Sequence, residues 1–201
     1  MQIIGIVGGM GSGKSTVVGL LSELANTYII NADDIGHEIL KKGSPGYIPA
    51  IEAFGDQILG TDGEINRRVL GEIVFSDPKA LQKLNNISHP LIYKAVKEQI
   101  ETALEKGSND YIIVDAALLI EIGLIELVDQ VWGVYVPVET QIQRVMVRNG
   151  LSKEEAIKRI STQLPWSKIK KRITIQINNT STTEHTKEQI RYLLEQNLKG
   201  L

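Results

Sequence analysis

The chain has 201 residues, with 22 basic and 24 acidic side chains, a formal net charge of -2 and no cysteine. The lack of cysteine excludes disulfides, thiolate catalysis and thiolate metal sites. The near-neutral charge does not favour a protein that binds duplex nucleic acid, which is expected to be strongly basic. Because 42% of the residues are hydrophobic and 23% charged, both near globular averages, we expect one compact domain with a small insert.

The N-terminal segment and the rest of the chain carry no pattern typical of a membrane protein. The apolar run that starts at Ile3 has no basic region before it and meets glycine at Gly5, so it does not match a signal peptide. No other apolar run approaches the length of a membrane span. We therefore expect a cytoplasmic protein that binds neither membranes nor nucleic acid. A monomer or weak homo-oligomer is a separate expectation, because the sequence does not give the oligomeric state.

Four short apolar runs predict buried β-strands: Ile3–Val7, Thr27–Ile30, Tyr111–Val114 and Val131–Val136. Their nearly continuous apolar character predicts strands that are covered on both faces. A fifth run, at 173–177, alternates apolar and polar residues, which predicts an edge strand. Since helical patterns fill the intervals, the fold class is α/β, with a five-stranded, mostly parallel sheet between helical layers.

Helices are predicted between the strands. One follows the first strand over 17–25, a second begins at the capping-box pattern 152–155, and the last runs from about Thr186 toward Gly200. A further helix is expected to end at Gly107. Its apolar stripe has the members Ile92, Val96, Ile100, Ala103 and Leu104.

The interval between the second and third strands, residues 31–110, is too long for a simple crossover. It is interrupted at 43–46 and 62–63 by glycine-containing turns. A βαβ unit needs only about 30 residues in all. We therefore predict a helical subdomain inserted beside the sheet, where a second substrate could bind.

The segment Gly8–Ser15 satisfies G-x-x-x-x-G-K-[ST] directly after a strand and before a helix, which is the context that this phosphate-binding loop (P-loop) requires. Its glycines let successive main-chain N–H groups approach phosphate oxygens. Lys14 supplies charge to the β- and γ-phosphates, and the Ser15 hydroxyl is a predicted Mg²⁺ ligand. The predicted nucleotide-binding residues in the loop are Gly9, Gly11, Ser12, Gly13, Lys14, Ser15 and Thr16. The fold is therefore expected to be a P-loop NTPase-type three-layer sandwich.

Two carboxylates follow strands at the sheet edge where the loop lies. Asp33 comes after the second strand and could accept a proton from an attacking hydroxyl. Asp115 ends the third strand after four apolar residues, as a Mg²⁺-binding aspartate of P-loop proteins does. The alternative for each is a helix N-cap or turn carboxylate.

Basic residues are expected to contact phosphates from the C-terminal half. Arg144 and Arg148 are four residues apart on one helix and share a face. A basic stretch ending at Arg172 predicts a mobile lid; a solvated basic face is the alternative. Asn179 follows the fifth strand, where purine edges are often read, and the chain lacks the Asn-Lys-x-Asp guanine motif, which favours ATP over GTP.

Taken together, the sequence resembles the dephospho-coenzyme A kinase family from Ile4 to about Asn179. The loop alone indicates only a superfamily, whereas the ordered set is specific. Its members are the loop 8–16, Ala32, Asp33, Phe54, Gly55, Asp62, Gly63, Arg67, Leu70, Val74, Phe75, His89, Pro90, Asp115, Leu118, Leu119, Glu121, Gln141, Arg144, Arg148, Gln163 and Asn179.

The resemblance implies a kinase that uses Mg²⁺ and ATP to phosphorylate the ribose 3′-hydroxyl of dephospho-coenzyme A, the last step of coenzyme A synthesis. It implies catalytic roles for Asp33 as base and for Lys14 and Arg144 as charge stabilisers. Nucleotide contacts would come from Arg148 and Asn179 besides the loop, and the metal ligands would be Ser15 and Asp115. On the acceptor side it implies Asp33, Arg67, His89, Leu118 and Glu121.

The predicted organisation has three parts. Residues 1–40, 108–140 and 173–201 form the nucleotide-binding core, 41–107 the helical acceptor subdomain, and 141–172 the lid region. The alternatives are another P-loop small-molecule or nucleoside monophosphate kinase, and a non-catalytic ATP-binding module, which would be expected to lack the base or the metal ligand.

The chain departs from the family's usual pattern at a few positions. The family usually has Asp at the place of Asn31, Pro at Ala117, an Ala-Asp pair at Ile173-Thr174, and often a basic residue at Ile169. We expect a loosened loop at Ala117 and altered adenine contacts at Thr174. None of these positions is a predicted base, metal ligand or phosphate-binding lysine.

Overall fold

The computed structural model describes residues 1–199, with side chains described as far as residue 196. One five-stranded sheet is built from β1 (Gln2–Val7), β2 (Thr27–Asn31), β3 (Tyr111–Asp115), β4 (Gln130–Tyr135) and β5 (Ile175–Asn178). The spatial order is β2-β3-β1-β4-β5, and β3, β1, β4 and β5 pair in parallel. Parallel strands need crossover connections, and helices supply them.

The helices are α1 (Lys14–Leu24), α2 (Ala32–Glu38), α3 (Tyr47–Phe54), α4 (Arg67–Ser76), α5 (Pro78–Lys106), α6 (Val138–Asn149), α7 (Lys153–Ser161), α8 (Trp166–Ile169) and α9 (Thr183–Lys199). Short 3₁₀ turns lie at Asp56–Ile58 and Leu124–Leu127. Among the helices of residues 1–199, none has both the length and the apolar character needed to cross a membrane.

The chain divides into two compact units. The first comprises Met1–Ile30 together with the chain from Ile100 onward, and it contains the sheet. The second is the helical segment Asn31–Gln99, which corresponds to most of the interval that the sequence predicts as an insert.

The core of the first unit lies against the central strands. Val17 and Leu21 of α1 are fully buried, and with Leu20 their spacing gives α1 one apolar face. Trp132 in β4 is also fully buried. Ile190 of α9 belongs to the same cluster, so α1, α9 and the sheet share one hydrophobic core.

The second unit has its own hydrophobic core. It is formed by Tyr47 and Phe54 of α3, Ile58 of the following turn, and Leu70 and Val74 of α4. Its buried side chains thus come from helices and turns, and the apolar spacing of each helix provides one buried face.

Two sequence-based expectations about burial are wrong. Ile29 in β2 is 41% exposed, so this strand is not covered on both faces, and β2 also lies at the edge of the sheet. Leu104 is 44% exposed although the rest of its predicted α5 stripe is buried. Ala103 already occupies the core-facing position in that turn of α5, which leaves the adjacent Leu104 pointing to solvent.

Other local predictions are confirmed. The capping box of α7 is present in both directions between Ser152 and Glu155. Gly107 ends α5 with a φ of 60°, a value that glycine adopts without strain. β5 is an edge strand as predicted, although it begins at Ile175. α9 starts at Thr183, slightly before the predicted start, and the predicted end near Gly200 lies outside the described residues.

Candidate active site

The P-loop connects β1 to α1. Ser12 N–H donates to Gly9 O at 3.0 Å, and Thr16 N–H donates to Gly13 O at 3.1 Å, which closes the loop into the first turn of the helix. The first N–H groups of a helix have no partner within the helix, and the helix dipole is positive there. The start of α1 at Lys14 therefore provides the N–H donors and the positive potential that an anion needs.

Two glycines of the loop have both the conformation and the close contacts that require glycine. Gly11 has a φ of 79°, and a Cβ on it would lie 2.7 Å from Gln141 O. Gly13 has a φ of 89°, and a Cβ there would overlap Asn179 Nδ2. Both positions combine a left-handed backbone with the close approach of another chain segment, which only glycine tolerates without strain.

The carbonyl side of the loop is fixed by two side chains from the C-terminal half. Ser12 O accepts from Asn179 Nδ2 at 2.8 Å and from Arg144 Nη1 at 3.4 Å. Arg144 Nη2 also donates to Asn179 O at 2.9 Å. Arg144, the predicted charge stabiliser, thus contacts the main chain of the P-loop and of Asn179. Asn179, the predicted base-reading residue, contacts the main chain of the P-loop.

Two glutamines lie close to the loop, and one of them accepts a hydrogen bond from a loop N–H group. Gln163 Oε1 accepts from Met10 N–H at 2.6 Å. Gln141 is buried and donates from Nε2 to Val136 O at 3.3 Å, and its Oε1 would lie 3.2 Å from a Cβ on Gly9. The sequence placed both glutamines in the family pattern but gave no role to either, because the position of a polar side chain in the sequence does not reveal which main-chain atom it contacts.

Asp115 and Ser15, the predicted Mg²⁺ ligands, lie on β3 and α1. Asp115 ends β3, where its Cα pairs in register with Ile6 of β1, two residues before the loop begins. Ser15 is exposed in the first turn of α1. Mg²⁺ takes oxygen ligands, keeps several waters and is usually held by one or two protein groups together with substrate phosphates. A hydroxyl in the phosphate loop and a carboxylate at the end of the strand beside β1 suit such an ion in their chemistry. Within residues 1–199 no group of three or more His, Asp or Glu residues could hold a metal.

Asp33 lies in the first turn of α2, directly after β2. The N-cap of this helix is Asn31, whose Oδ1 accepts from Asp33 N–H at 3.0 Å and Asp34 N–H at 3.1 Å. Asn31, a departure from the family's usual Asp, therefore still satisfies the helix start. Because Asn31 is the cap, Asp33 is not needed for that structural role.

The predicted acceptor residues Arg67 and His89 belong to the second unit. Arg67 is exposed at the start of α4, and it borders a cavity of about 300 Å³ that His37, Lys41 and Glu64 also line. His89 precedes the proline inside α5. Burial lowers the pKa of His89 below 6.5, and its Nε2 is buried with no hydrogen-bond partner within the described residues.

Leu118 and Glu121 follow β3 in the first unit. Leu118 is half-buried, while the adjacent Leu119 is fully buried and would contact a Cβ on Gly5. Glu121 is exposed as a whole, but burial around its carboxyl raises its pKa. Hydrogen bonds from the main chain of Glu121 and Leu164 oppose that rise, so this carboxyl contacts the segment that carries Gln163.

The segment predicted as a lid contains α7 and α8. Trp166 packs on Tyr135 with ring centroids 5.1 Å apart. Ile169 is 4% exposed, which explains an apolar residue at a position where the family often has a basic one. The basic residues of this segment are exposed: Lys168, Lys170, Lys171 and Arg172. Arg148 of α6 is also exposed, and its Nε donates to Asn149 Oδ1 at 3.2 Å.

Thr174 stands where the family usually has Asp. Its hydroxyl accepts from Val131 N–H at 3.0 Å, and its own N–H donates to Val131 O at 2.9 Å. Thr174 therefore extends the pairing of β4 and β5 and satisfies a main-chain donor, a role that Asp could also fill.

Comparison with known proteins decides the family. The family model described as CoaE, dephospho-CoA kinase, matches residues 2–185. The chain belongs to the dephospho-CoA kinase family. A dephospho-CoA kinase from Carboxydothermus hydrogenoformans is 43% identical over 97% of this chain and 94% of that protein. One from Dehalococcoides mccartyi is 40% identical over 99% of both.

Solved structures support the same fold. A Thermus thermophilus protein has a TM-score of 0.80 at 30% identity, covering 97% of each chain. Dephospho-CoA kinase from Campylobacter jejuni has a TM-score of 0.72 at 28% identity, covering 98% of each. Shikimate kinase from Acinetobacter baumannii, at 17% identity and a TM-score of 0.53, shares the fold alone.

Proposed function

We propose that this chain is an ATP-dependent kinase that transfers the γ-phosphoryl group to the ribose 3′-hydroxyl of dephospho-coenzyme A, giving coenzyme A and ADP. The observation that carries this proposal is a P-loop with helix-start geometry in a chain that matches the dephospho-CoA kinase family over residues 2–185. The alternative, another P-loop small-molecule or nucleoside monophosphate kinase, is not favoured because the family match extends over almost the whole chain.

The phosphates of ATP would bind to the main-chain N–H groups of the loop and to Lys14. Phosphoryl transfer needs positioning and charge stabilisation more than covalent chemistry from the protein. Arg144 already lies beside the loop through its bond to Ser12 O, so its guanidinium is a local positive charge for the transferring group. Exposed Arg148, one turn further along α6, would add a second.

Ser15 and Asp115 are the residues that would hold Mg²⁺. Their hydroxyl and carboxylate oxygens suit this ion; Ser15 is the last residue of the P-loop motif, and Asp115 ends the strand that pairs with β1. When bound, the ion would neutralise charge on the β- and γ-phosphates during transfer.

Asp33 would orient and deprotonate the attacking hydroxyl. The proposal rests on the family resemblance, and the structure supports it in one respect: Asn31 caps α2, which leaves Asp33 without that structural duty. A carboxylate in this role must reach the hydroxyl within hydrogen-bond distance.

The acceptor would be bound by Arg67, His89, Leu118 and Glu121. Arg67 is an exposed cation beside a cavity, suited to the diphosphate of the acceptor. The buried Nε2 of His89 lacks a partner within the described residues, so a ligand hydrogen bond there would satisfy it. The three-part organisation, with an acceptor subdomain at 41–107 and a lid at 141–172, the cytoplasmic location and the monomeric or weakly oligomeric state remain predictions.

The test is ADP release from Mg-ATP with a panel of acceptors: dephospho-coenzyme A, AMP, CMP, shikimate and pantothenate. We expect turnover that depends on dephospho-coenzyme A and stays at background with the others. Turnover with a different acceptor of the panel, and none with dephospho-coenzyme A, would contradict the proposed substrate while leaving the P-loop kinase intact.

The role of Asp33 has its own test. Asp33→Asn keeps the size of the side chain and removes its basicity, so ATP affinity should stay within about twofold while kcat falls at least about 100-fold. Asp34→Asn, the neighbouring carboxylate in the same helical turn, is the matched control and should keep near-normal kcat. Equal kcat in the Asp33 variant and the wild type would remove Asp33 as the base.

A further inference from the structure

Thr186 is a buried hydroxyl that lies outside every predicted site. It is in the first turns of α9 and has no exposed surface. Its Oγ1 donates to Asn179 Oδ1 at 3.0 Å and lies 3.3 Å from Thr182 O. A buried hydroxyl costs free energy unless it is hydrogen-bonded, so this side chain has a specific partner, the amide oxygen of Asn179.

The Asn179 side chain connects Thr186 to the P-loop. Its other amide atom, Nδ2, donates to Ser12 O at 2.8 Å. The main chain of Asn179 is also fixed, since its N–H donates to Tyr135 O and its carbonyl accepts from Arg144 Nη2, both at 2.9 Å. The hydroxyl of Thr186 thus holds the amide oxygen on its own side. The reversed amide would place two carbonyl oxygens, Oδ1 and Ser12 O, against each other.

The orientation of Ser12 O determines the orientation of the next N–H group. The peptide between Ser12 and Gly13 is planar, and in a trans peptide the C=O and the N–H point in opposite directions. Because Ser12 O points to Asn179, Gly13 N–H points away from Asn179, to the opposite side of the loop. In a P-loop, main-chain N–H groups contact the nucleotide phosphates.

We propose that Thr186 is a positioning residue for the P-loop: through Asn179 it holds the Ser12 carbonyl and thereby directs the Gly13 N–H toward the ATP phosphates. Thr186 does not itself contact the nucleotide. The inference rests on the proposed function, in which this loop binds ATP.

Close packing at Gly13 also supports an effect of the Asn179 amide on the Ser12–Gly13 peptide. A Cβ at Gly13 would overlap Asn179 Nδ2, so the Asn179 amide packs directly on the loop backbone. A small rotation of that amide would therefore be transmitted to the Ser12–Gly13 peptide by contact and by the loss of the hydrogen bond to Ser12 O.

The test compares Thr186→Val, which keeps the shape and removes the hydroxyl, with Thr186→Ser, which keeps the hydroxyl. An unpartnered buried amide oxygen costs enough free energy to shift an equilibrium about 5–30-fold. We expect kcat/KM for ATP to fall about 5–30-fold in Thr186→Val, with KM for dephospho-coenzyme A within about twofold of the wild type. Thr186→Ser should restore kcat/KM for ATP.

A second measurement uses the protein without nucleotide. The carbonyl ¹³C signal of Ser12 and the amide ¹⁵N signal of Gly13 should move in Thr186→Val and stay in place in Thr186→Ser. Unchanged signals and unchanged kcat/KM in Thr186→Val would overturn the proposal. So would equal impairment of the two variants, since packing rather than the hydroxyl would then be responsible.

The two outcomes that matter can be separated. If the wild type binds no Mg-ATP, the proposed function fails, yet movement of the Ser12 and Gly13 signals in Thr186→Val would still support the positioning role. If the Val variant does not fold, the Ser variant alone decides: normal kcat/KM for ATP supports the role of the hydroxyl, and reduced kcat/KM refutes it.

Discussion

Replacing Gly13 by alanine should destabilise the protein, while the same replacement at Gly19 should stabilise it. Gly13 is the N-cap of α1 with a φ of 89°, and a Cβ there would overlap Asn179 Nδ2. Gly19 is exposed within α1, and a Cβ there would meet no atom within 4 Å. The two sites share one helix, so the chemical change is matched and only the surroundings differ.

The magnitude at Gly13 follows from two terms. A left-handed backbone costs a residue other than glycine about 1–2 kcal/mol. Displacing Asn179 breaks its hydrogen bond to Ser12 O, a loss of about 0.5–1.5 kcal/mol. The free energy of unfolding should therefore fall by roughly 1.5–3.5 kcal/mol, which in a chain of this size lowers the thermal midpoint by roughly 3–14 °C.

At Gly19 the sign is reversed because alanine is about 0.5–1 kcal/mol better than glycine inside a helix. The thermal midpoint should rise by roughly 1–4 °C. Calorimetric or fluorescence melts of both variants, together with ATP titrations, make the assay. Equal midpoints for Gly13→Ala and the wild type would refute the argument from backbone and contact, and a drop in Gly19→Ala as large as that in Gly13→Ala would show that α1 tolerates no change at all.

Three further predictions concern single contacts. Gln163→Glu keeps an acceptor for Met10 N–H but adds a negative charge beside the phosphate loop, so the Kd for ATP should rise more than in Gln163→Ala. Titration calorimetry at two salt concentrations would reveal the effect of the charge. A smaller rise of the Kd in the Glu variant than in the Ala variant would contradict this prediction. Because the pKa of His89 is lowered in the folded protein, the unfolded chain protonates this imidazole at a higher pH than the folded protein does. The free energy of unfolding should therefore fall as the pH drops below about 6.5. In urea titrations His89→Gln should flatten this pH dependence, and an unchanged slope in the variant would contradict the prediction. Ser152→Ala removes the side chain that caps the start of α7. The thermal midpoint should fall by roughly 2–4 °C, and KM for ATP should not change. A large change in KM for ATP would contradict this prediction, because it would indicate that α7 acts on the nucleotide site.

The parts of the fold that depend on local pattern were predictable from the sequence. The strands, the P-loop context and the capping box of α7 each depend on neighbouring residues, and all three are found at or within a few residues of their predicted positions. The edge position of β2 was not predictable because an apolar run does not show how many neighbouring strands pair with it. Strand order is a tertiary property, which hydrophobic runs do not encode.

The site was predictable in composition but not in contacts. Motif spacing identifies Lys14 and Ser15 because the chemistry of phosphate binding requires them at fixed places. Asn179 was expected to read the purine, yet its amide is bonded to Ser12 O and Thr186. The contact with Ser12 joins residues 167 positions apart, and no local pattern reveals which main-chain carbonyl a distant side chain will meet.

The most direct test of the central claim is the position of the new phosphate. The protein is incubated with Mg-ATP and dephospho-coenzyme A, and the product is examined by mass spectrometry and ³¹P NMR, before and after treatment with a 3′-nucleotidase. We predict one added phosphate as a monoester on the ribose 3′-oxygen, removed by that enzyme, with one ADP formed per product. A phosphate on any other atom, or ADP formation without an added phosphate on the acceptor, would contradict the account.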